Sequence, residues 1–102
     1  MDTKLKLEIE RCIGFEAGLL ECSERINTAI GETLKYIEGL KEDEVYQKGY
    51  AESLLSAQEM SLTAVKYAMR ELCVIKALYE LYNESQSVLQ RSLSSTSQAS
   101  LN

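Results

Sequence analysis

The chain has no histidine, no proline and no tryptophan, and only five glycines, three cysteines and one phenylalanine among its 102 residues. Each shortage excludes something. Without His, zinc sites built on Cys and His, Ser-His-Asp triads and the Glu-x-x-His di-iron motif of helical bundles are ruled out. Without Pro, turn-rich folds lose a residue they use freely, whereas helix interiors exclude it at ~3 kcal/mol. The cysteines Cys12, Cys22 and Cys73 are odd in number and lack C-x-x-C spacing. They read as free thiols in a reducing compartment and as small core residues, not as a disulfide scaffold. No apolar run is long enough to cross a membrane, and the start Met1-Asp2-Thr3-Lys4 lacks the apolar region of a signal peptide, so a cytoplasmic location is expected.

The net charge of -5 argues against nucleic acid as a partner, because phosphate binding needs a basic face. The charge is uneven. The first 50 residues carry 11 acids and 7 bases, the remainder 5 acids and 4 bases, and Glu42-Asp43-Glu44 is the densest cluster. A charge of this sign and place can solvate a loop or steer a basic partner surface.

What is present is mostly helix former: Leu, Glu, Ala, Lys and Gln. Apolar residues recur at three- and four-residue steps through Leu5, Ile9, Cys12, Leu19, Ile26, Ile30, Leu34 and Ile37, which predicts a first helix over about 3–39 with Asp2 or Thr3 as its N-cap. Gly39 then offers a C-cap and Asp43 an N-cap. The stripe resumes through Tyr46, Tyr50, Leu54, Ala57, Ser61, Val65, Ala68, Leu72, Ile75, Tyr79 and Tyr82, predicting a second helix over about 43–91. Residues 92–102 are Ser-rich and read as a flexible C-terminal tail on a single helical domain, 1–91. Lys4-Leu5-Lys6-Leu7-Glu8-Ile9-Glu10 alternates like a strand, but no second strand exists to pair with it, so helix is expected there too.

The expected fold is therefore all-α: a long antiparallel hairpin whose turn near 42 pairs residues with numbers summing to about 84. Leu5 would face Tyr79, Ile9 would face Ile75, Leu34 would face Tyr50, and Cys12 would lie near Cys73. Two helices leave apolar side chains over. Off the main stripe stand Leu55, Leu62, Met69, Val74, Leu78, Leu81 and Val88, and Leu81, Tyr82, Val88 and Leu89 overhang the reach of the first helix. A helix apolar on most of its circumference is covered by something. A second helix of this length would span on the order of 70 Å, beyond a compact monomer of this mass. Leu55, Leu62, Met69, Leu78, Leu81, Tyr82, Val88 and Leu89 are the expected interface, and a homodimer forming a four-helix bundle is the expected assembly. The alternative is a monomeric three- or four-helix bundle broken at Gly14, Gly18, Gly31 or Gly49.

Two further features carry expectations. Gly14 and Gly18 share a face, and each costs ~1 kcal/mol inside a helix, so either the helix breaks there or another helix approaches closely. Tyr46 and Tyr50 share a face beside the turn and form a candidate partner patch, since Tyr combines apolar area with a polar tip. For catalysis the sequence provides nothing: no paired carboxylates in an apolar setting, no phosphate loop, and only Lys66, Arg70 and Lys76 near Cys73 in place of the base a thiolate nucleophile needs. No catalytic, cofactor or metal residue is expected, and no enzyme activity.

In size and two-helix outline, with Gly39-Leu40-Lys41 at the turn, the chain resembles the secreted helical hairpins of the Trp-x-Gly type. It is similar in size to small all-helical secretion chaperones and bacteriocin-immunity bundles. The Trp-x-Gly itself is absent, so the resemblance implies a helical hairpin and brings no site residues. The function expected is non-enzymatic protein–protein interaction of the adaptor, chaperone or inhibitor type, with itself and an unidentified protein as partners. The alternatives are a small-molecule-binding bundle, with its pocket near Tyr67, Met69, Cys73 and Tyr79, and a phage or plasmid-type inhibitor of a host machine.

Overall fold

The computed structural model describes residues 3–101, with side-chain surroundings for residues 3–94. Two helices form a hairpin, α1 (Thr3–Glu38) and α2 (Val45–Leu101), and there is no strand among the described residues. No described helix is long and apolar enough to cross a membrane. The alternating segment 4–10 is helical: Leu5 is buried and Ile9 half-buried on one side of α1, while Leu7 points to solvent. Asp2, one of the two expected N-caps, lies outside the described residues.

Residues cluster into two compact units, a turn unit, Ala17–Arg70, and a terminal unit, Met1–Glu16 with Glu71–Asn102. In the turn unit the protected positions include Leu19, Ser23, Ile26, Ile30, Thr33 and Ile37 on α1 and Ala51, Leu55, Gln58, Leu62, Val65 and Met69 on α2. Each set advances by three and four residues, seven per two turns, the spacing at which two helices bury one continuous seam. Thr33 is buried and its Oγ1 lies 3.0 Å from Oε1 of Gln58, which fixes the two helices face to face. The terminal unit repeats the spacing with Leu5, Ile9, Cys12 and Glu16 on α1 and Leu72, Lys76, Tyr79, Asn83 and Gln86 on α2. There Lys76 Nζ donates to Glu16 Oε2 at 3.5 Å.

The register differs from the expected one. Thr33 with Gln58 sums to 91 and Glu16 with Lys76 to 92, both beyond 84. Tyr50, Leu54 and Ile75, expected against α1, are exposed, as is Leu34. The cause is that the stripe read from the sequence followed the aromatic residues, whereas the buried line follows the seven-residue spacing and takes in small and polar residues. Ala51, only 1% exposed, is the most deeply buried apolar residue among the described ones. The pairing of Cys12 with Cys73 falls for the same reason: Cys12 is buried in the seam, Cys73 and Cys22 are exposed, and all three are free thiols.

The connection, residues 39–44, is longer than the expected 40–42 and is closed by hydrogen bonds at both ends. Gly39 N–H donates to Lys35 O at 3.2 Å and Leu40 N–H to Ile37 O at 3.1 Å, closing α1 without any glycine at positive φ. Glu44, not Asp43, precedes α2, because its carbonyl accepts the first helical bond from Lys48 N–H. Its carboxylate accepts from Lys41 N–H at 3.1 Å and holds the turn closed.

Neither helix breaks at a glycine. α1 runs through Gly14, Gly18 and Gly31 and α2 through Gly49, so the monomeric bundle broken at glycines is not the fold. Isolated glycines raise the free energy of a helix by ~1 kcal/mol each, too little to interrupt one held along its whole seam by a neighbour. α2 also continues to Leu101, ten residues past the expected boundary at 91. No Pro or Gly follows Gly49 to stop it, and Ser is only a moderately poor helix former, ~0.5 kcal/mol below Ala.

Candidate functional site

The terminal unit has its helix chemistry inside out. Toward α1, α2 presents Lys76, Asn83 and Gln86 along with Leu72 and Tyr79. Away from α1 it presents Leu78, Leu81, Tyr82, Val88 and Leu89, exposed by between 53% and 59%, together with Val74 and Ile75. These fall at heptad steps, 74/81/88 and 75/82/89, with Leu78 between them. They therefore form one stripe along the outer side of α2, next to its polar seam. Amphipathic helices place the richer apolar face inward; here the reverse holds.

The remaining expected interface residues behave differently. Leu55, Leu62 and Met69 are half-buried in the turn unit, on the seam side of α2. Burial there comes from α1, the only other helix of that unit. Sequence reasoning set Val74 off the main stripe without counting it in the interface and placed Ile75 against α1, and the heptad spacing was the signal that could have joined both to the outward stripe.

Gly14 and Gly18 face open space. A Cβ built on either meets nothing within 4 Å, so no helix of this chain approaches them. Tyr46 and Tyr50 are exposed by 82% and 65%. Tyr50 borders a shallow, mostly apolar hollow of about 260 Å³ in the turn unit, shared with Tyr36, Thr33, Ala51 and Leu54; Tyr46 is not part of it. Of the four residues expected around a ligand pocket, Tyr67 and Cys73 are exposed while Met69 and Tyr79 are half-buried.

No family model, curated protein or solved structure matches this chain. The site must therefore be read from its own chemistry. Among the described residues no three His, Cys, Asp or Glu side chains gather as a metal site would require. The ion pairs Arg11–Glu8 and Arg25–Glu21 are intrahelical and solvent-exposed, and pairs of that kind contribute little. What the surface offers is exposed apolar side chains in a regular array.

The interior points the same way. The buried apolar residues are Leu5, Cys12 and Ala51, and no large side chain among the described residues is fully buried. A helix in water is marginal without tertiary packing, and most of its stability comes from burying an apolar face. This hairpin buries one narrow seam, partly polar, and leaves its broadest apolar stripe in solvent.

Proposed function

We propose that the chain is a non-enzymatic protein–protein interaction module, of the adaptor, chaperone or inhibitor type, that acts through the outward face of α2 and associates with itself. The observation that supports this reading is the inversion in the terminal unit: Leu78, Leu81 and Val88 exposed on one side of α2, Lys76, Asn83 and Gln86 protected on the other. Contiguous apolar surface of this kind is rare on monomers and marks a site that is covered when the protein works. Dimerisation through it would bring four helices together, two from each chain.

Sedimentation equilibrium and circular-dichroism melting across the micromolar range test the proposal. The expected result is association and a melting temperature that rises with concentration, both lost in Leu81→Glu. A wild-type melt independent of concentration, together with Leu81→Glu indistinguishable from it, would overturn the reading.

A further inference from the structure

We infer that the occupant of the outward α2 face is a second copy of this chain, laid antiparallel, α2 against α2, about a two-fold axis between Leu81 and Tyr82. The inference rests on the proposed interaction role of that face and adds to it the partner, the direction and the register.

The stripe reads the same in both directions. With residue numbers summing to 163, Leu81 meets the second copy's Tyr82, Ile75 meets Val88, and Val74 meets Leu89. Leu78, the lone apolar residue of its row, meets Ser85. All of these except Ser85 are among the exposed large apolar residues of the terminal unit. An isologous contact requires such self-complementarity, because the same patch serves both partners. A single helix face that pairs large with large in the reversed direction at every layer but the two Leu78–Ser85 ones meets that requirement.

Charge selects the direction. Glu71 and Arg91 flank the stripe at its two ends, both exposed. Among the described residues neither belongs to an ion pair within the chain; Arg91 Nε makes only a long bond, 3.4 Å, to Ser87 O in its own helix. Their numbers sum to 162. In the antiparallel register each Glu71 therefore lies beside the other copy's Arg91, twice by symmetry. A parallel in-register pair would set Glu71 beside Glu71, Glu84 beside Glu84 and Arg91 beside Arg91, and like charges at a helix interface are unfavourable.

Charge reversal in the full-length chain tests this, with dimer dissociation measured by sedimentation equilibrium at low salt and helix content followed by circular dichroism. Glu71→Arg and Arg91→Glu should each weaken the dimer about tenfold, because each creates two repulsive contacts. The double variant E71R/R91E should return to within about threefold of wild type, because both pairs re-form with their signs exchanged. A double variant as weak as the product of the singles overturns the antiparallel register. If Leu81→Glu still dissociates that protein, the α2 face keeps its role and only the register falls. A wild-type chain that stays monomeric while its α2 face binds a different protein overturns the second-copy occupant and the self-association, and leaves the interaction role of the face standing.

Discussion

Thr33 Oγ1 sits 3.0 Å from the side-chain amide of Gln58 on the opposing helix and 2.9 Å from the carbonyl of Ala29 one turn back on its own. A hydroxyl has one proton, so it donates to one acceptor at a time. With the Gln58 amide turned over, its NH2 donates to Thr33 Oγ1 while the hydroxyl donates to Ala29, and both contacts are satisfied. Thr33 is buried and Gln58 half-buried, so removing one partner strands the other's polar group. Thr33→Val and Gln58→Leu should each destabilise by about 1–2 kcal/mol, and the double variant should recover most of the loss. Urea denaturation run as a double-mutant cycle checks it; losses that simply add would mean the two side chains do not interact.

Glu16 and Lys76 make the corresponding polar contact of the terminal unit, but theirs is wetter. The side chains are 36% and 27% exposed and the contact is 3.5 Å long. A pair this accessible contributes roughly 0–1 kcal/mol and is screened by salt. Lys76→Met, which places an apolar side chain between Leu72 and Tyr79, should leave the melting temperature unchanged or raise it, and should remove any difference between low and high salt. A fall of several degrees at both salt concentrations would show that the pair matters more to the seam than its exposure implies.

Gly14 and Gly18 stand in an unbroken helix with open space where a Cβ would be. Neither has a positive φ. Gly14→Ala and Gly18→Ala should therefore each stabilise the chain by about 0.5–1 kcal/mol, since alanine loses less conformational freedom on forming a helix. The melting temperature of dilute protein reads this directly. A partner helix packed against these glycines, as their spacing suggests, would instead reveal itself as weaker association in the same variants.

Thiol chemistry separates the cysteines. Cys22 and Cys73 are exposed and Cys12 is buried. Native protein should expose two thiols to a fast aromatic disulfide reagent and release the third only on unfolding. Cys73 lies on a different side of α2 from the apolar stripe, so self-association should not slow its reaction. Three thiols reacting at one rate in native protein would mean the seam around Cys12 is open.

Much of this protein was legible in its residues. The missing prolines, the helix-forming composition and the apolar spacing of Leu5, Cys12, Leu19 and Ile26 determined two long helices, and Gly39 with the acidic run behind it determined where the chain turns. Those are local properties, set by backbone sterics and nearest neighbours, and a sequence states them directly. The tertiary structure decided which side of α2 meets α1. By hydrophobicity alone Leu54, Tyr50 and Ile75 were the better candidates for the seam, and they lost it to Ala51, Gln58 and Lys76. The seam must keep seven-residue spacing along both helices at once, and its polar members must find partners across it, Thr33 for Gln58 and Glu16 for Lys76. That joint condition on two helices is absent from either stripe taken alone. Its consequence is that the most regular apolar face of the chain, from Val74 to Leu89, points outward.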